Sequence, residues 1–407
     1  MLQAADIKFY HSDKAANDGT CGGRMNELSQ IVSGVKYAVF PAVTSDQRAS
    51  GAGIFRKIHM ANRNGETPPE PAYNARFAIV GDSNGGDRFY AKSGGYADIK
   101  STLDTSTGWT GGGALHASMS AGATMIQIAF PANDYDVPNN RYLAIMDTSN
   151  RCWVKTADEA VTGESAGTGE ANYSVSLVSA PVDEGTLKVH YTIGGNTYMA
   201  VDDGSGAVTG VNITSGSINY NTGLLTLQFN NQADDVTCDY AQRCFSFSGN
   251  VATVKLGEQV PYSFNSADTT AGVAVELGDL EASLSVMQKT SAAGGFSVGA
   301  CVLKNTGAAY DEITIMFTSG TAFSAAGLYE GSLGNGTING TYAPLNKRTS
   351  VPLFSIPASA WSGVWASGDV LEIRLIPAAK AVWIKNIIPA GTGHTAINTL
   401  KTLWHVD

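Results

Sequence analysis

Residues 185–201 read Gly185-Thr-Leu-Lys-Val-His-Tyr-Thr-Ile-Gly-Gly-Asn-Thr-Tyr-Met-Ala-Val201, with apolar and polar residues alternating on both sides of a glycine turn. Alternation puts one set of side chains on each face of a β-strand, and glycine supplies the positive φ of a tight hairpin turn. A second hairpin is predicted at Asn221-Thr-Gly223, and Val236-Thr-Cys-Asp-Tyr240 supplies a last strand. Residues 170–243 are therefore predicted to form a small β-sandwich or barrel.

The composition extends this prediction to the whole chain. Its 407 residues are enough for two or three domains, and they include 46 glycines and only 15% charged residues. Many short strands joined by tight turns have this profile, and no long stretch has the 3.6-residue spacing of an amphipathic helix. We predict an all-β fold, with single helical turns only at residues 99–103 and 359–365.

A weak internal repeat suggests that the outer parts of the chain are related. Phe55 precedes an Asn-Gly turn and an alternating run, as Phe296 does, and each part closes with a tryptophan in an apolar run, Trp153 and Trp383. We therefore expect two similar β-sandwich domains flanking the small module. Phe55 should be equivalent to Phe296, and Trp153 to Trp383, each facing a core.

Three segments follow from these patterns. They are an N-terminal β-sandwich at 1–160, the inserted module at 170–243 and a C-terminal β-sandwich at 245–407. Residues 161–169 are small and polar and are predicted to be a linker, and 331–340 a long flexible loop. Outside the module, the strands are predicted at 55–60, 76–80, 124–130, 142–146, 284–287, 297–303, 313–317, 370–376 and 381–385.

The charge balance argues against nucleic acid as a partner. There are 26 basic and 36 acidic residues, a net charge of −10, and no block of Lys or Arg. Nucleic-acid binding depends on neutralising phosphates, so an acidic chain without a basic stripe is a poor candidate. No run approaches the roughly 18 apolar residues of a membrane span, and the amino terminus lacks the apolar core of a secretory signal. We expect a protein made in the cytoplasm, without a membrane span.

The cysteines and histidines give no metal or cofactor site. The five cysteines are too scattered for a disulfide framework, and we expect free buried thiols: Cys21, Cys152, Cys238, Cys244 and Cys301. Cys238 and Cys244 are six apart and could meet across a bend, but zinc would need a second pair or nearby histidines. Asp202-Asp-Gly-Ser-Gly206 lacks the glutamate that a calcium loop requires, so a solvated hairpin tip is favoured.

One segment matches a catalytic pattern. Gly81-Asp-Ser-Asn-Gly85 has the form of a nucleophile elbow, in which a serine lies on a turn between a strand and a helix. A strand precedes it, but the following residues, Gly86-Asp-Arg-Phe-Tyr90, indicate another strand. We therefore expect Ser83 to lie in a surface turn, and its replacement by alanine to change stability by no more than about 0.5 kcal/mol.

Several stretches resemble virion structural proteins of tailed bacteriophages. The opening Ile7-Lys-Phe-Tyr10 and the later Phe55-Arg-Lys-Ile58 are similar to the start of tail and neck proteins. The module, with Gly216-Ser-Ile-Asn-Tyr-Asn-Thr-Gly-Leu-Leu-Thr-Leu227, resembles β-modules of baseplate and fibre proteins, and Trp383-Ile-Lys-Asn-Ile-Ile-Pro-Ala-Gly-Thr392 completes the likeness. The resemblance implies a virion protein without catalytic residues, whose partners are copies of itself and other virion proteins.

The interpretation as a virion structural protein leaves two alternative functions open. The first is a receptor- or carbohydrate-binding module of a tail fibre, which would present an exposed aromatic platform to a host-surface glycan. Trp109, Trp361 and Trp365 are the candidates, and the last two could share a face of a helical turn. The second and weaker alternative is a hydrolase that uses Ser83.

The assembly surface is predicted from apolar residues near flexible segments. The C-terminal stretch contributes Leu400, Leu403, Trp404 and Val406, and the glycine-rich segment contributes Leu333 and Ile338. Permanent interfaces resemble a protein core cut in half, so apolar side chains of this kind are expected there. Deleting the residues after Asn398 should leave the domains folded and block incorporation into particles.

Overall fold

Antiparallel strands make up most of the chain, which confirms the all-β fold. The computed structural model describes residues 2–66, 68–81, 83–291, 293–395 and 398–407. The strands of the first 155 residues are β1 (Ile7–Lys14), β2 (Gly22–Ile31), β3 (Ala52–Asn62), β4 (Ala72–Ile79), β5 (Arg88–Gly94), β6 (Gly112–Leu115), β7 (Met125–Ala129), β8 (Tyr142–Met146) and β9 (Arg151–Lys155).

The middle of the chain continues with β10 (Glu159–Gly167), β11 (Glu170–Ser176), β12 (Lys188–Ile193), β13 (Asn196–Asp202), β14 (Val208–Gly210), β15 (Ile213–Asn219) and β16 (Leu224–Gln242). The remaining strands are β17 (Phe245–Ser248), β18 (Val251–Lys255), β19 (Thr270–Leu280), β20 (Ser283–Lys289), β21 (Gly294–Phe296), β22 (Asp311–Phe317), β23 (Ala322–Gly327), β24 (Gly331–Thr337), β25 (Trp361–Gly363), β26 (Val370–Ile376), β27 (Ala379–Ile388) and β28 (Thr402–His405).

Within these described ranges, helical structure is limited to short elements. Helix α1 (Ser45–Ser50) begins with a capping box, in which the Thr44 hydroxyl accepts a hydrogen bond from the Gln47 amide and the Gln47 side chain accepts one from Thr44 N–H. The 3₁₀ turns are Ala4–Asp6, Lys100–Thr102, Val298–Ala300 and Ala358–Ala360. The turn at Lys100–Thr102 confirms the helical turn predicted at residues 99–103.

Contacts divide the chain into two compact units. The first comprises Met1–Ala78, Ser83–Trp109 and Val275–Asp407, and the second comprises Ile79–Asp82 and Thr110–Ala274. The predicted domain boundaries stay a prediction. Within the second unit, residues 166–240 form a hydrophobic core of their own, in which Tyr191 and Phe229 pack with ring centroids 4.8 Å apart.

The first unit contains a sheet in the order β2-β1-β3-β27-β5 and another in the order β20-β26-β22-β23-β24. In the first of these, Trp383 on β27 lies opposite Lys57 on β3 and is fully buried. Glycines make room for its ring, because a Cβ at Gly22 or Gly94 would come within 2.8 Å or 2.7 Å of it. The C-terminal sheet covers an aromatic core, where Phe317 stacks on Trp365 at 4.4 Å.

The second unit contains two sheets. In one of them, β17, β18, β7 and β6 lie side by side, and the first residues of β19 pair with β6. Strand β8 pairs with these residues of β19 and also with β9. The other belongs to the module and runs β10-β16-β12-β13-β14, with β11 and β15 on the first part of β16. The hairpin of β12 and β13 turns at Gly194 and Gly195, as predicted, and both have positive φ.

Three local predictions are wrong, and a fourth, the helical turn at 359–365, holds only for residues 359 and 360, which belong to the 3₁₀ turn Ala358–Ala360. Residues 161–169 were predicted as a linker, but β10 occupies most of them because β16 supplies a hydrogen-bonding partner. The predicted flexible loop at 331–340 contains β24, which pairs with β23. The segment predicted as a strand at 297–303 contains the 3₁₀ turn Val298–Ala300, followed by an isolated β-bridge between Val302 and Ser355. The predicted helical turn at 359–365 gives way at Trp361 to β25, which pairs with β21.

The two tryptophans of the repeat do not occupy equivalent positions. Trp383 lies on a central strand and is fully buried, whereas Trp153 lies on β9 at the end of a different sheet and is only partly buried. Phe55 lies within β3 and Phe296 ends the short strand β21, and both are partly buried. Trp153 and Trp383 are therefore not equivalent, whereas the equivalence of Phe55 with Phe296 stays a prediction.

Candidate functional site

The predicted C-terminal interface residues lie on or beside β28. This strand pairs with β4, and the Asp407 N–H donates to the Tyr73 carbonyl at 2.9 Å. The Asp407 carboxylate accepts hydrogen bonds from Arg76 at 3.2 Å and from the Asn74 amide at 2.8 Å. The end of the chain is therefore held on the first unit by backbone and charged contacts.

The apolar side chains of this segment remain partly accessible. Trp404 packs edge-on against Phe9 with ring centroids 6.4 Å apart, and the side chains of Leu400, Leu403, Trp404 and Val406 are half-buried. Their role in an interface stays a prediction.

The second predicted interface pair lies at the edge of the C-terminal sheet. Leu333 is on β24, and Ile338 follows its end; both are partly buried and pack against the aromatic core. Because β24 is an edge strand, one side of its backbone has no strand neighbour among the described residues of its sheet. Unpaired edges are where a strand from another chain can add, and this role of Leu333 and Ile338 also stays a prediction.

Ser83 lies in a polar cluster that joins a turn to the C-terminal segment. Its hydroxyl accepts the Gly85 N–H at 2.9 Å and lies in hydrogen-bonding contact with Asp87 and, at 2.7 Å, with the Asn398 side-chain oxygen. The Asn398 amide donates to Asp87 at 2.6 Å, and Asp87 is 4% exposed. The single hydroxyl proton is therefore engaged in fixing the segment, and Ser83 is more buried than a free surface turn would make it.

The tryptophans proposed for a glycan platform are interior residues. Trp109, Trp361 and Trp365 are 3%, 8% and 2% exposed. Trp361 and Trp365 pack edge-on against each other at 5.5 Å in the C-terminal core. These three residues therefore present no exposed platform.

Buried charges connect β2 to the C-terminal sandwich within the first unit. The Arg24 guanidinium donates to Glu330 at 3.1 Å and to the Tyr310 carbonyl at 3.2 Å, and it lies 4.6 Å from the centre of the Tyr329 ring. The side chains of Arg24 and Glu330 are only 9% and 5% exposed. Removing either partner would leave the other charge buried and uncompensated, which is strongly destabilising. This contact therefore fixes how the two segments pack.

The buried face of β3 carries two more ionisable groups. The Lys57 ammonium donates to the Gly23 carbonyl at 2.9 Å and to the Asp98 carbonyl at 3.1 Å, and it forms an ion pair with the Asp98 carboxylate. Burial lowers the pKa of Lys57, although the Asp98 charge opposes the shift. Burial, followed by the Lys57 charge, lowers the pKa of His59 to about 3, so its imidazole is neutral at pH 7.

The sequence did not predict two groups of exposed apolar side chains. On β13, Met199 and Val201 are 51% and 42% exposed, because each points to the outer face of the module. Around the end of β2, four residues are more than half exposed: Leu28, Val32, Val35 and Tyr37. The alternation of β13 places Met199 and Val201 on one face, but the sequence does not show that this face is uncovered.

The described residues offer little for cofactor or metal chemistry. Among them, no group of three or more His, Cys, Asp or Glu side chains is placed to hold a metal ion. All five cysteines are free thiols, and burial raises the pKa of Cys238 and of Cys244 to about 12. Within the described part of the chain, no helix is both long and apolar enough to cross a bilayer.

The chain was compared with protein families, curated proteins and solved structures. No family model, no curated protein and no solved structure matches it.

Proposed function

We propose that the chain is a structural component of a tailed-phage virion, most simply of the tail or baseplate, that acts through contacts between subunits. The proposal rests on the sequence resemblance described above and on the exposed apolar residues of the structure. Its partners would be copies of the same chain and other virion proteins, and it would be located in the virion after synthesis in the bacterial cytoplasm. The proposal includes no catalytic activity.

The observation that carries the proposal is the apolar outer face of β13. Its register places Met199 opposite His190, and Val201 opposite Lys188 on one side and Thr209 on the other. A strand with one solvated face normally alternates buried apolar and exposed polar residues, yet here two large apolar side chains face outward two residues apart. Contiguous exposed apolar surface marks sites that another protein covers, and we propose that Met199 and Val201 belong to such a site.

The open strand edges support the same proposal. In the C-terminal sheet, β20 and β24 are the two edge strands, and Val286 and Met287 on β20 are 40% and 43% exposed. Natural monomers protect such edges with charges, prolines or covering loops. An apolar, accessible edge is suited to pairing with a neighbouring subunit.

The test is incorporation of charged variants into particles. In a bacterial host that produces the phage, Met199→Glu combined with Val201→Glu should leave the chain folded and reduce its incorporation at least tenfold. Ser174→Glu is the matched control, because Ser174 is an exposed polar residue on β11 of the same module. Normal incorporation of the double variant would show that this face is not an assembly surface.

A second test concerns the C-terminal segment. A chain that ends at Asn398 should keep its circular-dichroism spectrum and fail to enter particles, because it lacks Leu400, Leu403, Trp404 and Val406. Normal assembly of the truncated chain would mean that the segment packs only on its own unit.

A further inference from the structure

We propose that a cleft formed by His11, Tyr37 and Arg56 binds a small organic carboxylate, of the kind that an acidic sugar unit carries. This inference goes beyond the structural role proposed above and does not depend on it. It rests on a buried cation for which the described residues supply no countercharge and which lines an accessible cleft.

Arg56 is the starting point, because it is a buried charge with only neutral partners. The residue is 5% exposed. Its guanidinium donates to the Ala16 carbonyl at 3.0 Å, the Phe55 carbonyl at 2.7 Å and the Asn17 side-chain oxygen at 2.8 Å. Within the described parts of the chain, no Asp or Glu forms an ion pair with it.

A buried guanidinium of this kind is unusual on energetic grounds. Removing a charge from water costs several kcal/mol, and proteins normally offset this with an opposite charge. Carbonyl dipoles offset only part of the free energy lost on removing the guanidinium from water. Accordingly, burial lowers the pKa of Arg56. An anion from solution would supply the charge that the described residues do not.

The chain leaves space for that anion. A shallow, open cleft of about 430 Å³ is lined by Arg56 from β3 and His11 from β1, and otherwise by residues 15, 37–39, 41 and 42. None of the lining residues is acidic. The loop after β2 forms the outer wall, and Phe40 in this loop packs on Phe89 of β5 with ring centroids 5.6 Å apart. The cleft is therefore shaped by a loop that is itself packed onto the sheet.

The charge of the cleft favours a monoanion. Burial and the charge of Arg56 lower the pKa of His11, although a hydrogen bond with the Ala38 backbone opposes the shift. The imidazole is therefore neutral at pH 7 and can donate or accept a hydrogen bond. Arg56 then supplies the one full charge lining the cleft, which matches a carboxylate better than a phosphate dianion. The planar guanidinium also matches the geometry of a carboxylate.

Tyr37 indicates what the carboxylate is attached to. Its side chain is 58% exposed, and its backbone has a φ of 62°, a conformation that non-glycine residues adopt rarely. The Lys36 ammonium lies over this ring, 4.9 Å from its centre, and Lys36 is not among the residues that line the cleft. An exposed aromatic face beside a charged group is suited to the C–H face of a sugar ring, so a sugar acid satisfies both features.

The test is ligand-observed NMR with the full chain. Saturation-transfer signals should appear for glucuronate and be absent for glucose, and acetate and inorganic phosphate should compete only weakly. An oligosaccharide of glucuronate units distinguishes the two sources: stronger binding of the oligosaccharide indicates a polymer ligand, and equal binding per unit indicates the free acid. Both outcomes support the site, whereas absence of any glucuronate signal would overturn it.

Two variants separate the roles of the residues. Tyr37→Asn removes the ring and keeps a residue that tolerates positive φ, so it should fold normally and weaken glucuronate binding about tenfold. Arg56→Gln should abolish glucuronate binding. Circular dichroism verifies that this variant is folded before its binding is interpreted. Tyr262→Asn, at another exposed tyrosine, is the control. Unchanged glucuronate binding in Tyr37→Asn would overturn the proposal even if the Arg56 variant does not fold.

Discussion

Replacing Arg24 by methionine should destabilise the first unit far more than the loss of an ordinary surface ion pair. Methionine keeps much of the side-chain volume but removes the charge, so the carboxylate of Glu330, whose side chain is 5% exposed, loses its ion-pair partner at 3.1 Å. Removing one partner of a buried pair costs about 3–5 kcal/mol, because the remaining charge stays desolvated. The Tyr310 carbonyl also loses a donor.

The chain offers a matched control for this prediction. Arg374 and Glu312 lie in the same unit at 2.9 Å, but their side chains are 41% and 32% exposed. Replacing Arg374 by methionine should therefore cost at most about 1 kcal/mol, the value of an exposed pair. Combining Arg24→Met with Glu330→Gln should recover part of the loss, since the neutral amide removes the unpaired charge.

The measurement is urea unfolding followed by tryptophan fluorescence, with the midpoint and slope compared among the variants. The account predicts a much lower midpoint for Arg24→Met, a near-normal one for Arg374→Met and an intermediate one for the double variant. A cost below about 1 kcal/mol for Arg24→Met would refute the reasoning, because it would mean that Glu330 is effectively solvated.

Three further predictions follow from single contacts. The pKa of His59 is about 3 in the folded chain and 6.5 in the unfolded chain. As the pH falls below 6.5, the unfolded chain therefore binds a proton at His59 that the folded chain does not, and the free energy of unfolding decreases. Between pH 7 and pH 5 this loss is about 2 kcal/mol, and it should be missing from His59→Gln in urea titrations at both pH values. Gly272→Ala would place its Cβ 1.8 Å from a backbone carbonyl, so it should cost at least about 2 kcal/mol in thermal unfolding, whereas Gly299→Ala, with open space, should cost little. Ser83→Ala should cost about 1 kcal/mol in thermal unfolding, more than the roughly 0.5 kcal/mol expected for a free surface turn, because the buried Asp87 loses a hydrogen bond. An unchanged stability would show that the polar cluster is solvated.

The sequence predicts local strands well where turns and alternation agree. The predicted strands at 142–146 and 370–376 have the same bounds as β8 and β26. Residues 370–376 alternate between apolar and polar side chains, and residues 142–146 form a short apolar run bounded by turn residues. The position of β27 could not be predicted, because its partners on β3 lie more than 300 residues earlier in the chain.

Glycine-rich and polar strands escape pattern-based prediction for a physical reason. Residues 331–337 contain three glycines and little apolar surface, yet they form β24 because β23 offers a row of unsatisfied backbone groups. Propensity describes an isolated segment, whereas pairing depends on the neighbour that the fold supplies.

The cleft residues show the same limit for a site. His11, Tyr37 and Arg56 are far apart in sequence and match no motif, and nothing in the pattern around Arg56 reveals that its described partners are neutral. Only the burial of the guanidinium, read together with its hydrogen bonds, points to an anion site.

The most direct test of the structural role is electron cryomicroscopy of particles that carry a tagged chain. A short tag inserted at Gly249, in the exposed turn between β17 and β18, should leave both strands paired. The account predicts extra density at symmetrically repeated positions on the tail or baseplate. Particles that lack the tag, while the tagged chain stays folded in the soluble fraction, would contradict it.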